Sequence, residues 1–349
     1  MGTNEAAAVR SLKLHEWPVA DCSAWAEACR PSGRLTRGGI ASHLKPVTRD
    51  DLVQRYGLFL DHVARHEGFD PQSPRGATVT PQRVATYVAE LKQRVSSVTT
   101  HGSIAKLRRI AELLNPMIDL NWLREIENDL ALEMEPAPKF DRIVTSDRII
   151  LAGLTLTQEA ETANAMTPLK RAHSYRNGLM IALLGLCPIR LKNFSNLNIG
   201  RNFIRVGESW CVTLSALETK ESRPDERPIP PFLTSFIDRY LSTYRPIFNC
   251  NGPALWVGRY GSALGYSAVE RIVTETTRLT LGIPISPHLF RTCGASTAYM
   301  LAGDMPHLAS ALLNHRGQKT TQDHYNHAKC AFYGREFAKL LDDLQPPLD

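Results

Sequence analysis

The stretch YRNGLMIALLGLCPIR, residues 175–190, most constrains what this chain can fold into. Its apolar residues are nearly continuous over several turns, which predicts a buried helix rather than a surface helix. Pro188 cannot continue the helix, so we expect the helix to end before it. Arg190 then closes a buried apolar helix, where a charged side chain is unusual unless it is paired or has a function.

The segments around this helix predict a mixed second part of the chain. TSDRIILAGLTL, residues 145–156, has the pattern of a capped helix. NFIRVG, WCVTLS and ERPIP have the composition of short strands around turns, and most segments beyond Pro228 look helical again. We therefore predict a mainly α fold with a small antiparallel β-sheet.

The first part of the chain predicts a helical domain of its own. Apolar residues between positions 45 and 135 recur with the 3.6-residue period of a helix. One such stripe is formed by Leu52, Tyr56, Phe59, Leu60 and Val63. Thr80 has the residue type of a helix N-cap, and Pro81 suits the first helical position after it.

The length of 349 residues suggests two domains rather than one. The segment EMEPAPKF reads as a linker between them. We expect a loop or flexible arm at residues 1–44, a helical domain at 45–137 and a second domain at 138–349.

The composition excludes several classes of protein. Hydrophobic residues make up 43% and charged residues 22%, an ordinary globular balance. No apolar run approaches the ~20 residues that span a membrane, and the N-terminus has no secretory pattern. Seven cysteines are scattered singly, which favours reduced thiols and a cytoplasmic protein. The net charge of +6 permits a polyanionic partner.

Basic residues concentrate in two helices of the helical domain. They are Arg83, Lys92, Arg94, Lys106, Arg108 and Arg109, against Glu90 alone. Lys106 and Arg109 fall on one helix face. On charge alone, this pattern favours a solvated helix surface over a binding surface.

Six further residues, widely separated along the chain, have complementary chemistry. They are Arg190, Lys220, His288, Arg291, His315 and Tyr325. Lys220 lies in a predicted hairpin, and His288 and Arg291 share a helix face at positions i and i+3. The last two lie in LLNHRGQKTTQDHYNHA, residues 312–328.

This set of side chains makes physical sense around one phosphodiester. Two arginines can hold the non-bridging oxygens through forked, charge-assisted hydrogen bonds and stabilise the charge that develops there. A tyrosine phenol can attack the phosphorus, a histidine can assist removal of its proton, and a lysine can protonate the leaving hydroxyl. The phosphotyrosine retains the bond energy, so that rejoining requires no ATP.

In this order the six residues resemble the catalytic residues of the tyrosine recombinase, or phage integrase, family. HLFRTCGAS resembles the family's His-x-x-Arg helix, and LLNHRGQKTTQDHY resembles the segment that ends in its nucleophile. The likeness covers residues 138–349, while that of the preceding helical block rests on helix pattern alone. Asn193 and Asn314 stand where the family usually has an acidic residue and a glycine.

The resemblance implies a helical, SAM-like core-binding domain followed by an α+β catalytic domain. Tyr325 would be the nucleophile, Arg190 and Arg291 the phosphate clamp, Lys220 the general acid, His288 a proton-transfer residue and His315 a phosphate ligand. No cofactor or metal would be required. The partners would be double-stranded DNA, three more copies of the chain on two paired sites, and an accessory DNA-bending protein.

In such a protein the basic residues Arg83, Arg94, Lys106 and Arg109 would contact DNA. The protein would be cytoplasmic and associated with the nucleoid, with no membrane partner. The C-terminal segment GREFAKLLDDLQPPLD has a helical apolar stripe. It would either pack on its own domain or dock on a neighbouring subunit as an exchange helix.

Other assignments remain open at this point. A type IB topoisomerase would share this chemistry without pairing DNA sites, and a DNA-binding protein with a decayed site would keep the fold without the reaction. Tyr299 and Tyr333 are alternative nucleophiles, and Lys192 is the nearest rival of Lys220. His324, His327 and Cys330 repeat every three residues but lack a fourth metal ligand at matching spacing, so we predict no metal site.

Overall fold

A computed structural model describes residues 8–136, 140–220, 222–301 and 312–313. The chain divides into two compact units, Met1–Ala137 and Pro138–Asp349. Unit 1 is helical throughout its described part. Its helices are Val19–Ala28 (α1), Pro46–His66 (α2), Pro81–Arg94 (α3), Ser97–Leu114 (α4) and Asn121–Leu132 (α5).

The core of unit 1 is built on the predicted apolar stripe of α2. Each of its five residues is at most 1% exposed, so the helical period was interpreted correctly. Burial of such a side chain stabilises the fold by about 1.5–3 kcal/mol. Thr80 caps α3 by accepting a hydrogen bond from the Arg83 backbone N–H, and Pro81 follows at the first helical position, both as predicted.

The expectation of an arm at residues 1–44 is corrected by the packing of its described part. Trp17 and Trp25 are buried in the same core as α2. The Tyr56 hydroxyl of α2 donates to Asp21 at 2.7 Å, and the Gly76 N–H donates to the other oxygen of Asp21 at 2.7 Å. The segment from residue 12 to residue 44 is therefore an integral layer of unit 1.

Unit 2 surrounds the buried apolar helix that residues 175–190 predicted. That helix is Pro168–Leu186 (α7), and most of its second half is completely buried. The other helices are Ser146–Thr162 (α6), Leu191–Ser195 (α8), Pro231–Arg239 (α9), Tyr266–Leu281 (α10) and Pro287–Leu301 (α11). A π-helical turn, Tyr240–Tyr244, continues directly from α9.

Two glycines allow α6 and α7 to pack closely. A Cβ atom at Gly153 would lie 2.5 Å from the Gly178 carbonyl oxygen, and one at Gly178 would lie 2.6 Å from the Gly153 carbonyl oxygen. Only glycine permits this backbone approach. The resulting pair positions the end of α7, which carries Pro188 and Arg190 just beyond it.

A three-stranded antiparallel sheet completes unit 2. Its strands are Phe203–Val206 (β1), Ser209–Leu214 (β2) and Asp225–Pro228 (β3), in the order β1-β2-β3. Leu214 pairs with Asp225 and Val212 pairs with Arg227. The mainly α fold with a small antiparallel sheet is thereby confirmed.

None of the helices in the described part of the chain combines the length and apolar composition needed to cross a membrane.

Candidate active site

Arg190 lies directly after the buried helix α7, at the start of α8. Its backbone carbonyl accepts hydrogen bonds from Asn193 N at 2.8 Å and Phe194 N at 3.0 Å, which fix the turn. Ile189 and Leu191 on either side are buried, whereas Arg190 is half-buried. The local fold thus anchors the backbone at Arg190 while its guanidinium remains partly accessible.

Arg291 is the most enclosed of the predicted site residues in the described part of the chain. It projects from α11 and is 6% exposed. Its guanidinium donates to the Pro188 carbonyl at 2.7 Å and to the Leu313 carbonyl at 2.6 Å. These contacts join the end of α7, the His-x-x-Arg helix and the segment that leads to His315.

The charge of Arg190 is near enough to Arg291 to affect its pKa. Burial and the nearby charges of Arg190 and Arg227 together lower the pKa of Arg291 to about 10, against the opposing charge of Asp225. Arg291 remains protonated at neutral pH. Two neutral carbonyls accept hydrogen bonds from this guanidinium, and a guanidinium is a group that suits binding of a phosphate.

His288 lies one helical turn before Arg291 on α11 and is exposed. The spacing of three residues directs both side chains toward the same side of the helix. A buried arginine and an exposed histidine on one face can contact the same bound ligand. The arginine would contact it from the protein interior and the histidine from the solvent side.

Lys220 is exposed in the connection between β2 and β3, as the hairpin interpretation predicted. The buried hydroxyl of Thr219 beside it donates to the Arg223 carbonyl at 2.7 Å and accepts from the Arg223 N–H at 3.0 Å. This local bonding orders the backbone from which Lys220 projects.

Glu218 anchors the same connection and was not identified from the sequence. Its carboxylate accepts hydrogen bonds from Ser215 N at 3.0 Å, Ser215 Oγ at 2.9 Å and Asn202 Nδ2 at 3.2 Å, and it pairs with Arg201. The Ser215 N–H, with these other donors, lowers the pKa of Glu218 to about 2. Glu218 is therefore ionised at all ordinary pH values and ties the Lys220 connection to the sheet.

The pair Asp225–Arg227 on β3 was also missed. Arg227 donates to both oxygens of Asp225 at 2.9 Å, and only 9% of its side chain is exposed. Burial raises the pKa of the Cys187 thiol to about 11, and Arg227 is near enough to oppose that shift. Because the charges of both Arg227 and Asp225 also affect the pKa of Arg291, the pair lies near Arg291.

Four of the six predicted catalytic residues are thus in the described part of the chain. His315 and Tyr325 lie outside it, as do Asn314 and the C-terminal segment. Leu313, two residues before His315, is completely buried and packs with Ala295 and Ala298 of α11.

Most residues of the predicted basic stripe of unit 1 are paired with acidic residues. Arg83 pairs with Glu67 at 2.7 Å, and Lys106 pairs with Asp51 at 2.6 Å. Arg94 lies 3.5 Å from Glu90, while Arg109 is exposed. Most of this stripe is therefore neutralised locally, and its role in DNA binding remains a prediction.

A second set of cations in unit 1 is more open. Arg30, Arg34 and Arg37 are exposed on a loop that is closed by hydrogen bonds from Gly33 N to Thr36 O and from Gly39 N to Arg30 O. Among the described residues, no carboxylate lies within ion-pair distance of these three arginines.

Comparison with known proteins shows which solved structures have a similar fold. No model of a protein family and no curated protein matches the sequence. Solved structures do match, among them the XerH site-specific recombinase bound to difH substrate in a pre-cleavage complex. It shares 13% identity and a TM-score of 0.55, over 80% of this chain and 76% of that one.

A second match is XerH bound to palindromic difH substrate in a post-cleavage complex. It shares 14% identity and a TM-score of 0.55, over 85% of this chain and 79% of that one. Identities this low show the fold alone. The chain has the tyrosine recombinase fold, and the resemblance noted from the sequence motifs is confirmed at that level.

Proposed function

We propose that this protein is a site-specific DNA recombinase that cuts and rejoins DNA strands through a 3′-phosphotyrosine on Tyr325. One observation carries the proposal more than any other. Arg291 bonds to the carbonyls of Pro188 and Leu313, and this brings it beside Arg190 and to within two residues of His315 along the chain. This proximity of residues from separate segments supports a shared anion-binding site.

The reaction would proceed by in-line displacement at the scissile phosphate. The Tyr325 phenolic oxygen forms a bond to phosphorus as the bond from phosphorus to the 5′ oxygen breaks. The phenolic proton passes to His288, and the leaving 5′ oxygen takes a proton from Lys220. Attack by another strand's 5′-hydroxyl reverses these steps and restores a phosphodiester, so neither ATP nor a metal enters the balance.

Arg190 and Arg291 would hold the two non-bridging oxygens. Their mutual repulsion is relieved when a phosphate arrives, and more so as negative charge grows in the transition state. His315 would donate a further hydrogen bond to one of these oxygens. The Asp225–Arg227 pair would position Arg291 from behind without contacting the substrate.

Double-stranded DNA would be the partner, with four protomers assembled on two sites and an accessory DNA-bending protein assisting them. Unit 1 would contact the DNA backbone through cations. The exposed loop of Arg30, Arg34 and Arg37 offers such a surface alongside the predicted Arg83, Arg94, Lys106 and Arg109. Binding through phosphates predicts a steep dependence on salt.

A covalent-capture assay tests the proposal. Labelled DNA fragments flanking the protein's own gene, including nicked versions that lose the leaving strand, are incubated with the full chain and then denatured. We expect DNA that migrates with protein for the wild type and for Tyr333→Phe, and none for Tyr325→Phe. An adduct that persists in Tyr325→Phe would refute the assigned nucleophile.

The same preparation separates the two rival functions. A topoisomerase would relax supercoiled plasmid that lacks the captured fragment, whereas a recombinase requires paired copies of it. A DNA-binding protein with a decayed site would bind the fragments in a salt-sensitive way and form no adduct in the wild type.

A further inference from the structure

Three side chains of unit 1 converge between α2 and α3, and none of them belongs to the candidate active site. They are His62, His66 and Glu90, and one nitrogen or oxygen from each lies within 4.8 Å of the other two. His62 is 1% exposed, Glu90 is half-buried and His66 is exposed. The cluster is therefore built into the core at one end and open to solvent at the other.

The hydrogen bonds of Thr86 assign the tautomer of His62. The Thr86 hydroxyl donates to the Arg83 carbonyl at 3.0 Å. Its oxygen lies 3.0 Å from His62 Nε2 and therefore accepts from that nitrogen. In a neutral imidazole the proton is then on Nε2, and Nδ1 carries the lone pair.

The carboxylate of Glu90 lies against the other nitrogen of this ring. His62 Nδ1 is 2.6 Å from Glu90 Oε2, which is a hydrogen-bond distance. The neutral tautomer that Thr86 favours presents its lone pair at Nδ1, and a metal ion bound to both atoms would replace the proton in this contact with a small widening of it.

The third ligand is already oriented. His66 Nδ1 lies 2.8 Å from the His62 carbonyl and donates to it, so His66 Nε2 carries the lone pair. Histidines at positions i and i+4 share a helix face, and their ring centroids are 4.2 Å apart. A histidine that binds metal commonly donates its other N–H to a carbonyl in this way.

Neighbouring arginines orient the Glu90 carboxylate, and the charges around it cancel. Arg65 donates to both oxygens of Glu90, at 3.0 and 3.1 Å, and to Asp61 at 2.9 Å. Arg94 lies 3.5 Å from Glu90. Two carboxylates therefore balance two guanidinium groups, and a divalent cation would meet a site with no net charge before it binds.

We propose that His62 Nδ1, His66 Nε2 and Glu90 Oε2 bind a Zn²⁺ ion that joins α2 to α3. Two imidazoles and a carboxylate suit zinc, and water would complete a tetrahedron at the open side next to His66. The site would be structural, since it stabilises the packing of unit 1 and takes no part in strand cleavage. The proposal does not depend on the proposed recombinase activity.

Zinc binding to the full chain tests this inference. Metal-free protein is titrated with Zn²⁺ by calorimetry, and Co²⁺ is used as a spectroscopic probe. His66→Ala removes an exposed ligand without disturbing the core, and His43→Ala, an exposed histidine of the same unit, is the matched control. We expect His66→Ala to lose a single equivalent of tight binding, or to weaken it by at least about tenfold, while His43→Ala keeps it.

Two further readouts make the result decisive. Bound Co²⁺ should show tetrahedral visible absorption without a thiolate charge-transfer band, since no cysteine belongs to the site. Nitrogen shifts of the histidine rings should change on addition of Zn²⁺ at His62 Nδ1 and His66 Nε2, and not at His43. A wild type that binds no more Zn²⁺ than His66→Ala, or His62 and His66 ring shifts that do not respond to Zn²⁺, would overturn the proposal.

Discussion

Arg291 donates a hydrogen bond to the carbonyl of Leu313 at 2.6 Å. This contact links the buried guanidinium of α11 to the segment that continues to His315 and Tyr325. Arg291 would therefore have two functions, because it binds the phosphate and also fixes the start of the segment that carries the nucleophile.

Arg291→Lys should abolish this double function. An ammonium group cannot reach both carbonyls and a phosphate at once, because it lacks the planar fork of a guanidinium. We expect single-turnover cleavage of a nicked substrate to fall about 100-fold or more, with DNA affinity little changed. Arg278→Lys, at an exposed ion pair on α10, is the control and should cleave normally. Equal rates in the two variants would contradict the role of Arg291.

Lys220→Ala should slow cleavage of an ordinary phosphodiester through loss of the general acid. A substrate whose leaving 5′ oxygen is replaced by sulfur needs no such proton, because a thiolate is a much better leaving group. We expect the variant to cleave the sulfur-substituted substrate at close to the wild-type rate. Lys192→Ala, the control, should leave both rates unchanged. A defect of equal size on both substrates would show that Lys220 is not the acid.

The Asp225–Arg227 pair predicts a separation of stability from activity. Asp225→Asn leaves Arg227 buried without its partner and should lower the free energy of unfolding by about 3 kcal/mol. The double variant Asp225→Asn, Arg227→Met should recover part of that loss in urea unfolding. Its cleavage rate should stay low, because Arg291 has lost a positioning neighbour. Recovery of both quantities together would make the pair purely structural.

The pKa of Glu218 predicts how stability depends on pH. Its folded-state pKa is about 2 and its ordinary value is 4.5, so the unfolded chain binds the proton more tightly. The stabilisation is therefore complete above pH 4.5 and is lost as the pH falls toward 2. The Glu218→Gln variant should have a lower free energy of unfolding at neutral pH. That free energy, measured by urea unfolding, should decrease less than in the wild type as the pH falls from 4.5 to 2. Glu208→Gln, at an exposed position, should follow the wild type.

The two basic surfaces of unit 1 can be compared through their salt dependence. Each phosphate contact contributes about 0.9 to the slope of log affinity against log salt. We expect Arg34→Ala with Arg37→Ala to reduce the slope by about two, since these arginines are exposed. Lys106→Ala with Arg109→Ala should have a smaller effect, because Lys106 is paired with Asp51. The reverse order would favour the helical stripe as the DNA-binding surface.

Residue type and hydrophobic period were sufficient to predict the elements that position the candidate site. The stripe of α2, the capped start of α3 and the buried helix α7 all follow from residue type and period. The order of Arg190, Lys220, His288 and Arg291 suggested a shared site. It could not show that Arg291 would be held by the carbonyls of Pro188 and Leu313.

What the sequence concealed depends on contacts between distant segments. Residues 12–44 lack a strong hydrophobic period. Their place in the core depends on the hydrogen bonds that Asp21 accepts from the Tyr56 hydroxyl and the Gly76 N–H. The basic stripe of unit 1 seemed largely unopposed because Glu67 and Asp51, the partners of Arg83 and Lys106, lie outside it in the sequence. Asp225 and Arg227 gave no signal because their pairing beside Arg291 follows from the folded position of β3.

The most direct test of the central claim maps the covalent adduct to a peptide. Trypsin separates the three candidate nucleophiles, since Tyr299 falls in residues 292–316, Tyr325 in TTQDHYNHAK at 320–329, and Tyr333 in CAFYGR at 330–335. After nuclease digestion of captured complexes, mass spectrometry should find a nucleotide phosphate on TTQDHYNHAK alone. A nucleotide on either of the other two peptides, or on none of the three in a preparation that has cleaved its DNA, would contradict the account.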